Sequence, residues 1–167
     1  MKPEILEIAQ VGETVLTQEA QLVTEFNSEL LTLSEQMMVT MVAAEGLGIA
    51  APQVHQSISM FIMASRPTLR YPNAPTMEPT VVINPSILTH SETMLVDEEG
   101  CLSVANKRLP IARYDEINVQ YQDLQGRVIK QTLTGFPARV FQHEHDHLLG
   151  ITVLERSQMP EQNIIEK

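Results

Sequence analysis

The sequence predicts an α+β fold, and three observations carry that prediction. Short β-rich runs cluster in the middle of the chain, and a helical pattern lies on either side of them. At 167 residues, with 43% hydrophobic and 19% charged residues, the chain matches one globular domain spanning residues 1–167. Its apolar runs are all far shorter than the roughly 20 residues a membrane helix needs. No internal repeat or shift in composition marks a second domain.

The elements follow in chain order. Phe26, Leu30, Leu33, Met37, Met41 and Ala44 recur at spacings of three and four, with Asn27 or Ser28 as a cap, and predict a helix packed by its methionine-rich face. Gly46 and Gly48 are expected to end it. Ser59–Met63 and Thr80–Ile83 read as strands. Between them Pro67, Pro72, Pro75 and Pro79 predict a surface loop, since proline suits neither a helix interior nor a central strand. Further strands are expected at Glu92–Val96, Glu116–Tyr121 and Arg127–Leu133, the last two joined by a turn at Asp123-Leu124-Gln125-Gly126. A second helix is expected from Pro137 to about Leu149, stopped by Gly150. Ile151–Leu154 reads as a closing strand.

Charge narrows the function. The chain carries 11 basic and 21 acidic residues, a formal net charge of -10. No Lys or Arg falls between Lys2 and Arg66, whereas Glu4, Glu7, Glu13, Glu19, Glu25, Glu29, Glu35 and Glu45 do. Such a surface repels phosphate backbones, so no nucleic-acid binding is expected. A secretory signal needs an early basic segment and a disulfide needs two cysteines; the chain has neither, and a cytoplasmic location is expected.

The strongest chemical signal is His143-Glu144-His145-Asp146-His147 on the second helix. At about 100° per residue, His143 and His147 share one face, a turn apart, and can bind one metal. Glu144 sits beside them, where a general base reaches a water at the metal. His145 points away. A catalytic site usually takes three protein ligands. The third could be a downstream carboxylate (Glu155, Glu161 or Glu166) or the single cysteine, Cys101, in Glu99-Gly100-Cys101-Leu102-Ser103. The glycine and the acidic run Asp97-Glu98-Glu99 place that cysteine in a tight, exposed turn rather than in the core. A third segment, Gly46-Leu47-Gly48-Ile49-Ala50-Ala51-Pro52-Gln53, lets backbone approach a ligand closely and offers the Gln53 amide.

Taken in order and spacing, residues 46–53, 99–103 and Gln142–His147 resemble the three signature motifs of peptide deformylases, and the resemblance runs from the first helix to Leu154. It implies antiparallel sheets packed around a central metal-binding helix. It implies that Cys101, His143 and His147 hold one divalent ion per chain, Fe(2+) natively, with Zn(2+), Ni(2+) or Co(2+) as substitutes. It implies removal of the formyl group from an N-formylmethionyl peptide, with Glu144 as general base and with Gln53 and the Leu102 N–H stabilising the oxyanion. Leu47, Phe136, Val140 and the His143 ring would line the methionine pocket, Gly48 would offer backbone contacts, and Arg108 would face the peptide. Glu99 and Arg113 would buttress the site. The chain differs from many relatives at Ala105-Asn106, where they carry Pro-Gly. Its end, Ser157–Lys167, has Lys167 as its sole basic residue, so any transient ribosome contact is expected without a basic C-terminal helix. Two other readings are a zinc peptidase sharing only the histidine helix, and an inactive homologue that binds nascent N-termini. The Cys101 and Gln53 motifs weigh against the first, and the presence of Glu144 and Gln53 against the second.

Overall fold

The computed structural model describes residues 2–69 and 71–159. The carboxylates Glu161 and Glu166, and most of the acidic tail, lie outside them. Helix α1 spans Ser28–Ala43, and strands β1 (Gly48–Ala50), β2 (Met60–Ser65), β3 (Met77–His90), β4 (Met94–Cys101), β5 (Val104–Tyr114), β6 (Glu116–Gln122) and β7 (Val128–Thr134) follow. Helices α2 (Gly135–Leu148) and α3 (Val153–Gln158) close the chain. An antiparallel five-stranded sheet has the order β1-β2-β3-β6-β7, and β4 with β5 forms a separate two-stranded ribbon. This is the α+β arrangement of antiparallel sheets around α2. Among the described residues, no helix is long and apolar enough to cross a membrane.

β2 explains how both helices are held. All six of its residues are buried, and alternate side chains leave opposite faces. Phe61 pairs with Ala50 and Val82, and this face packs on α2. Met60 and Ile62 join Ile49 and Ile83 on the other face, against Leu30, Met37 and Met41 of α1. The methionine stripe is therefore core, as its spacing predicts. The Phe61 and Phe141 rings meet edge to face at 5.1 Å, a geometry that adds about 0.5–1.5 kcal/mol beyond burial.

Asn27 caps α1, its side chain accepting the Leu30 N–H at 3.0 Å. The helix does not end on glycine. Glu45 takes the left-handed turn at φ 58°, Gly46 N–H donates to Met41 O, and Gly48 belongs to β1. Pro79 is not in the surface loop either: it lies in β3, between register pairs Ser65↔Met77 and Met63↔Thr80, where β3 bulges, with Glu78 and Pro79 opposite the single residue Ala64 of β2. A bulge has a gap in its hydrogen-bond ladder, so a residue without an N–H fits there.

Three further expectations change. β4 begins later than Glu92 and runs on to Cys101. Its partner β5 has no strict alternation and contains Pro110, so it is absent from the sequence reading. The connecting turn at Leu102-Ser103 is tight, as expected, but not exposed: Ser103 is fully buried. Within β5, Asn106 has φ 56°, a left-handed conformation that asparagine tolerates. Finally, Ile151–Leu154 is not a strand. Thr152 and Glu155 form a capping box that starts α3, and the helix is pulled inward because buried Arg156 reaches Asp146 of α2, donating from Nη2 at 2.6 Å.

Candidate metal-dependent active site

α2 carries half of the site because its apolar face is fixed against β2, so its other face is held towards the β4–β5 hairpin. There the ligand atoms of Cys101, His143 and His147 all lie within 4.8 Å of one another. Cys101 Sγ is 3.4 Å from His147 Nε2. His143 Nδ1 is 2.8 Å from Glu99 Oε1. A carboxylate only accepts, so the ring proton sits on Nδ1 and Nε2 is left to face the cluster. Burial alone would raise the Cys101 pKa, but the imidazoles of His147 and His143 bring it well below the usual thiol range. A thiolate with two imidazole nitrogens is a donor set that suits a divalent transition metal. Glu155, offered as an alternative ligand, instead caps α3 through Thr152, and His145 turns away to stack on Phe141.

Glu144 lies in the same cleft with its Oε2 3.9 Å from His143 Nε2. Its Oε1 is buried without a hydrogen-bond partner, and burial raises its pKa. That is the state of a carboxylate able to take up a proton. Gly48 makes room for it. A Cβ there would overlap Glu144 Oε2 and come within 2.8 Å of Cδ. Gly48→Ala is expected to displace the carboxylate and to cut kcat by roughly 10²-fold, the order that a misplacement of about 1 Å produces. The melting temperature should change little, so paired turnover and thermal-melt measurements check it.

Gln53 is nearly inaccessible, yet it borders the cleft. Its Oε1 accepts the Ala50 N–H at 2.9 Å, and its Nε2 donates to Ser103 Oγ at 3.0 Å and lies 3.6 Å from Cys101 Sγ. Leu102 follows Cys101 in the turn, and its side chain packs 2.9 Å from where a Gly46 Cβ would stand. Leu47, Gly48, Arg108, Phe136 and Val140 all line a cleft of about 1170 Å³ together with Cys101, His143 and Glu144. Arg108 also covers Gly100, its Nη1 3.2 Å from where a Cβ would stand.

Of the machinery behind these groups, only Glu99 and Arg113 are expected from the sequence, through the family resemblance. The N-terminal arm binds both motif loops: Ala9 N–H donates to Gln53 O at 2.7 Å, and Val11 N–H to Ser103 O at 2.9 Å. Beneath His143 runs a buried ionic network. Arg113 donates from Nε and Nη2 to Glu99 and from Nη1 to Asp146, at 3.0, 2.9 and 2.6 Å. Arg139 Nη1 donates to Glu99 Oε2 and to Ile111 O. Burial works against the charge on Glu99, but Arg113 and His143 hold its pKa well below the usual carboxylate range. A lone arginine in a sequence gives no sign of burial, so Arg139 and Arg156 carry no signal there.

The family model for polypeptide deformylases matches residues 5–163. The Peptide deformylase 2 of Shewanella oneidensis is 56% identical over 160 residues, covering 96% of this chain and 88% of that protein. The Peptide deformylase 2 of Nostoc sp. is 47% identical over 157 residues, covering 93% and 88%. The solved class I type b peptide deformylase of Acinetobacter baumannii with Met-Ala-Ser bound matches with a TM-score of 0.89 at 43% identity, over 92% of this chain and 99% of that one. The Thermotoga maritima peptide deformylase matches with a TM-score of 0.84 at 38% identity, over 94% and 99%.

Proposed function

The chain belongs to the polypeptide deformylase family and is a hydrolase that removes the N-formyl group from nascent peptides, and we propose that it does so at the Cys101–His143–His147 cluster with Glu144 as general base. The observation that carries this is a three-donor cluster, Cys101 and His143 on the cleft wall and His147 buried behind them, beside a buried carboxylate with an unpartnered oxygen. Members of the family are metalloenzymes, and the donor set suits one ion per chain. A divalent ion held there would polarise the formyl carbonyl and acidify a neighbouring water.

The chain's own residues do the rest. Glu144 takes a proton from the attacking water and returns it to the departing amine, so formate and a free N-terminus leave. The formyl oxygen gains charge as water adds. It is met by the Leu102 N–H and by Gln53 Nε2, whose long contact to sulfur is weak enough to be exchanged. Leu47, Phe136 and Val140 receive the methionine side chain, Gly48 holds the peptide backbone, and Arg108 faces the chain beyond it. An apolar pocket beside an open metal site suits a small amide at a peptide terminus.

The substrate is an N-formylmethionyl peptide, and residues 1–167 act as one catalytic unit in the cytoplasm. Ribosome contact is transient and owes nothing to a basic helix; residues 160–167 lie outside those the structure describes. Formate release from formyl-Met-Ala-Ser under anaerobic conditions tests the function. Release of formate supports it, and none from the metal-loaded protein would sink it.

The native ion is Fe(2+), with Zn(2+), Ni(2+) or Co(2+) as substitutes. Affinity alone favours zinc over ferrous iron, but iron expands its shell more readily and rate follows that capacity. Protein loaded anaerobically with iron is expected to turn over much faster per bound metal than the zinc form, and to lose activity in air as iron and thiolate oxidise. Equal, air-stable activity in both preparations would overturn the iron assignment.

A further inference from the structure

The loop between β2 and β3 has no part in the chemistry above, yet it reaches the cleft through Tyr71. The Tyr71 ring lies 4.2 Å from the Phe136 ring, tilted by 36°. Phe136 belongs to α2 and is fixed with it, so an aromatic wall is shared between a rigid helix and a loop. The loop is itself restrained. The Tyr71 N–H donates to Thr68 Oγ1 at 2.9 Å, and its carbonyl accepts from the N–H groups of Thr68 and Ala74, both at 3.1 Å. Ser65 Oγ donates to Pro75 O at 2.6 Å, and Pro67, Pro72 and Pro75 remove backbone freedom. The hydroxyl end is held over β4, 3.5 Å from Glu98 O and beside Asp97. A ring anchored at its backbone, face and hydroxyl needs little further ordering when a ligand arrives.

We propose that Tyr71 is a specificity-determining residue, closing the methionine pocket against Phe136 so that it admits a slender unbranched side chain and turns away an aromatic one. Leu47 and Val140 line the same cleft as these two rings. They come from the β1 side and from α2, so without Tyr71 the loop side of the pocket stands open and its width is no longer set. The assignment rests on the deformylase reading.

The test compares kcat and KM for formyl-Met-Ala-Ser and formyl-Phe-Ala-Ser in the wild type, Tyr71→Ala and Tyr71→Phe. Tyr71→Ala should shrink the preference for methionine by roughly 10-fold or more, the scale on which apolar pockets discriminate. The change should lie mainly in KM: higher for the methionine peptide, lower for the phenylalanine peptide. Tyr71→Phe keeps the ring and should stay within about 2-fold of wild-type preference. Should Tyr71→Ala fold poorly, Tyr71→Trp thickens the wall and should sharpen the preference instead. A proportional fall on both peptides, or an unchanged ratio in the Ala and Trp variants, overturns the role of Tyr71 while leaving deformylation intact. Absence of formate from both peptides with the wild type would overturn the deformylase reading, and this assignment with it.

Discussion

Glu144→Gln is expected to keep its metal and lose turnover by about 10²-fold or more, the usual contribution of a general base. The substitution preserves size and polarity, so the groups around it, Gly48 above all, need not move. What disappears is an oxygen that can hold a proton. In the folded protein that oxygen is buried without a partner, and burial raises the carboxyl pKa towards the range where proton uptake is easy. Metal content per chain and kcat are the two measurements. Loss of metal in step with activity would point to a ligand role for Glu144 and count against the base.

Arg113→Met is expected to be the most destabilising single change near the site. Arg113 is almost wholly buried and binds both Glu99 and Asp146. Removing it leaves two carboxylates in the interior. Glu99 keeps Arg139 and His143, and Asp146 keeps Arg156. Breaking a buried pair in this way costs about 3–5 kcal/mol, which for a chain of this size lowers the melting temperature by roughly 6–20 °C. A second effect follows from the same contacts. Glu99 orients His143 through Nδ1, and loss of such a partner weakens metal binding by roughly 10–100-fold. Denaturant melts of the metal-free protein and metal competition with a chelator separate the two effects. A stable variant with wild-type metal affinity would show that the network is dispensable.

Much of the site was legible because its chemistry is local. His143, Glu144 and His147 share one helical turn, and helical periodicity alone assigns their faces. The motif around Cys101 was visible as a motif, but the burial of its turn was not. Ser103 is covered by Val11 and by Gln53, residues distant in the chain. Tyr71 was invisible for the same reason: a tyrosine in a proline-rich stretch says nothing of the helix it will stack on.

The misread elements divide along the same line. A helical stripe identifies α1, β-rich runs identify β2, β6 and β7, and Pro137 with Gly150 bounds α2; there local pattern and tertiary burial agree. β5 gives no clear local signal and α3 gives the wrong one, because each owes its form to a partner. β5 carries Pro110 and weak alternation, and it is a strand because β4 supplies its ladder from Met94↔Tyr114 to Cys101↔Val104. The β-branched run at residues 151–154 favours a strand locally, but Thr152 and Glu155 cap a helix there and Arg156 must reach Asp146. Local pattern is enough for the class of fold, the helix that bears the histidines and the order of the three motifs. That those motifs meet at one point, held there by buried arginines, follows only from long-range packing. Charges taken out of water must find partners, and the partners lie tens of residues away in the chain.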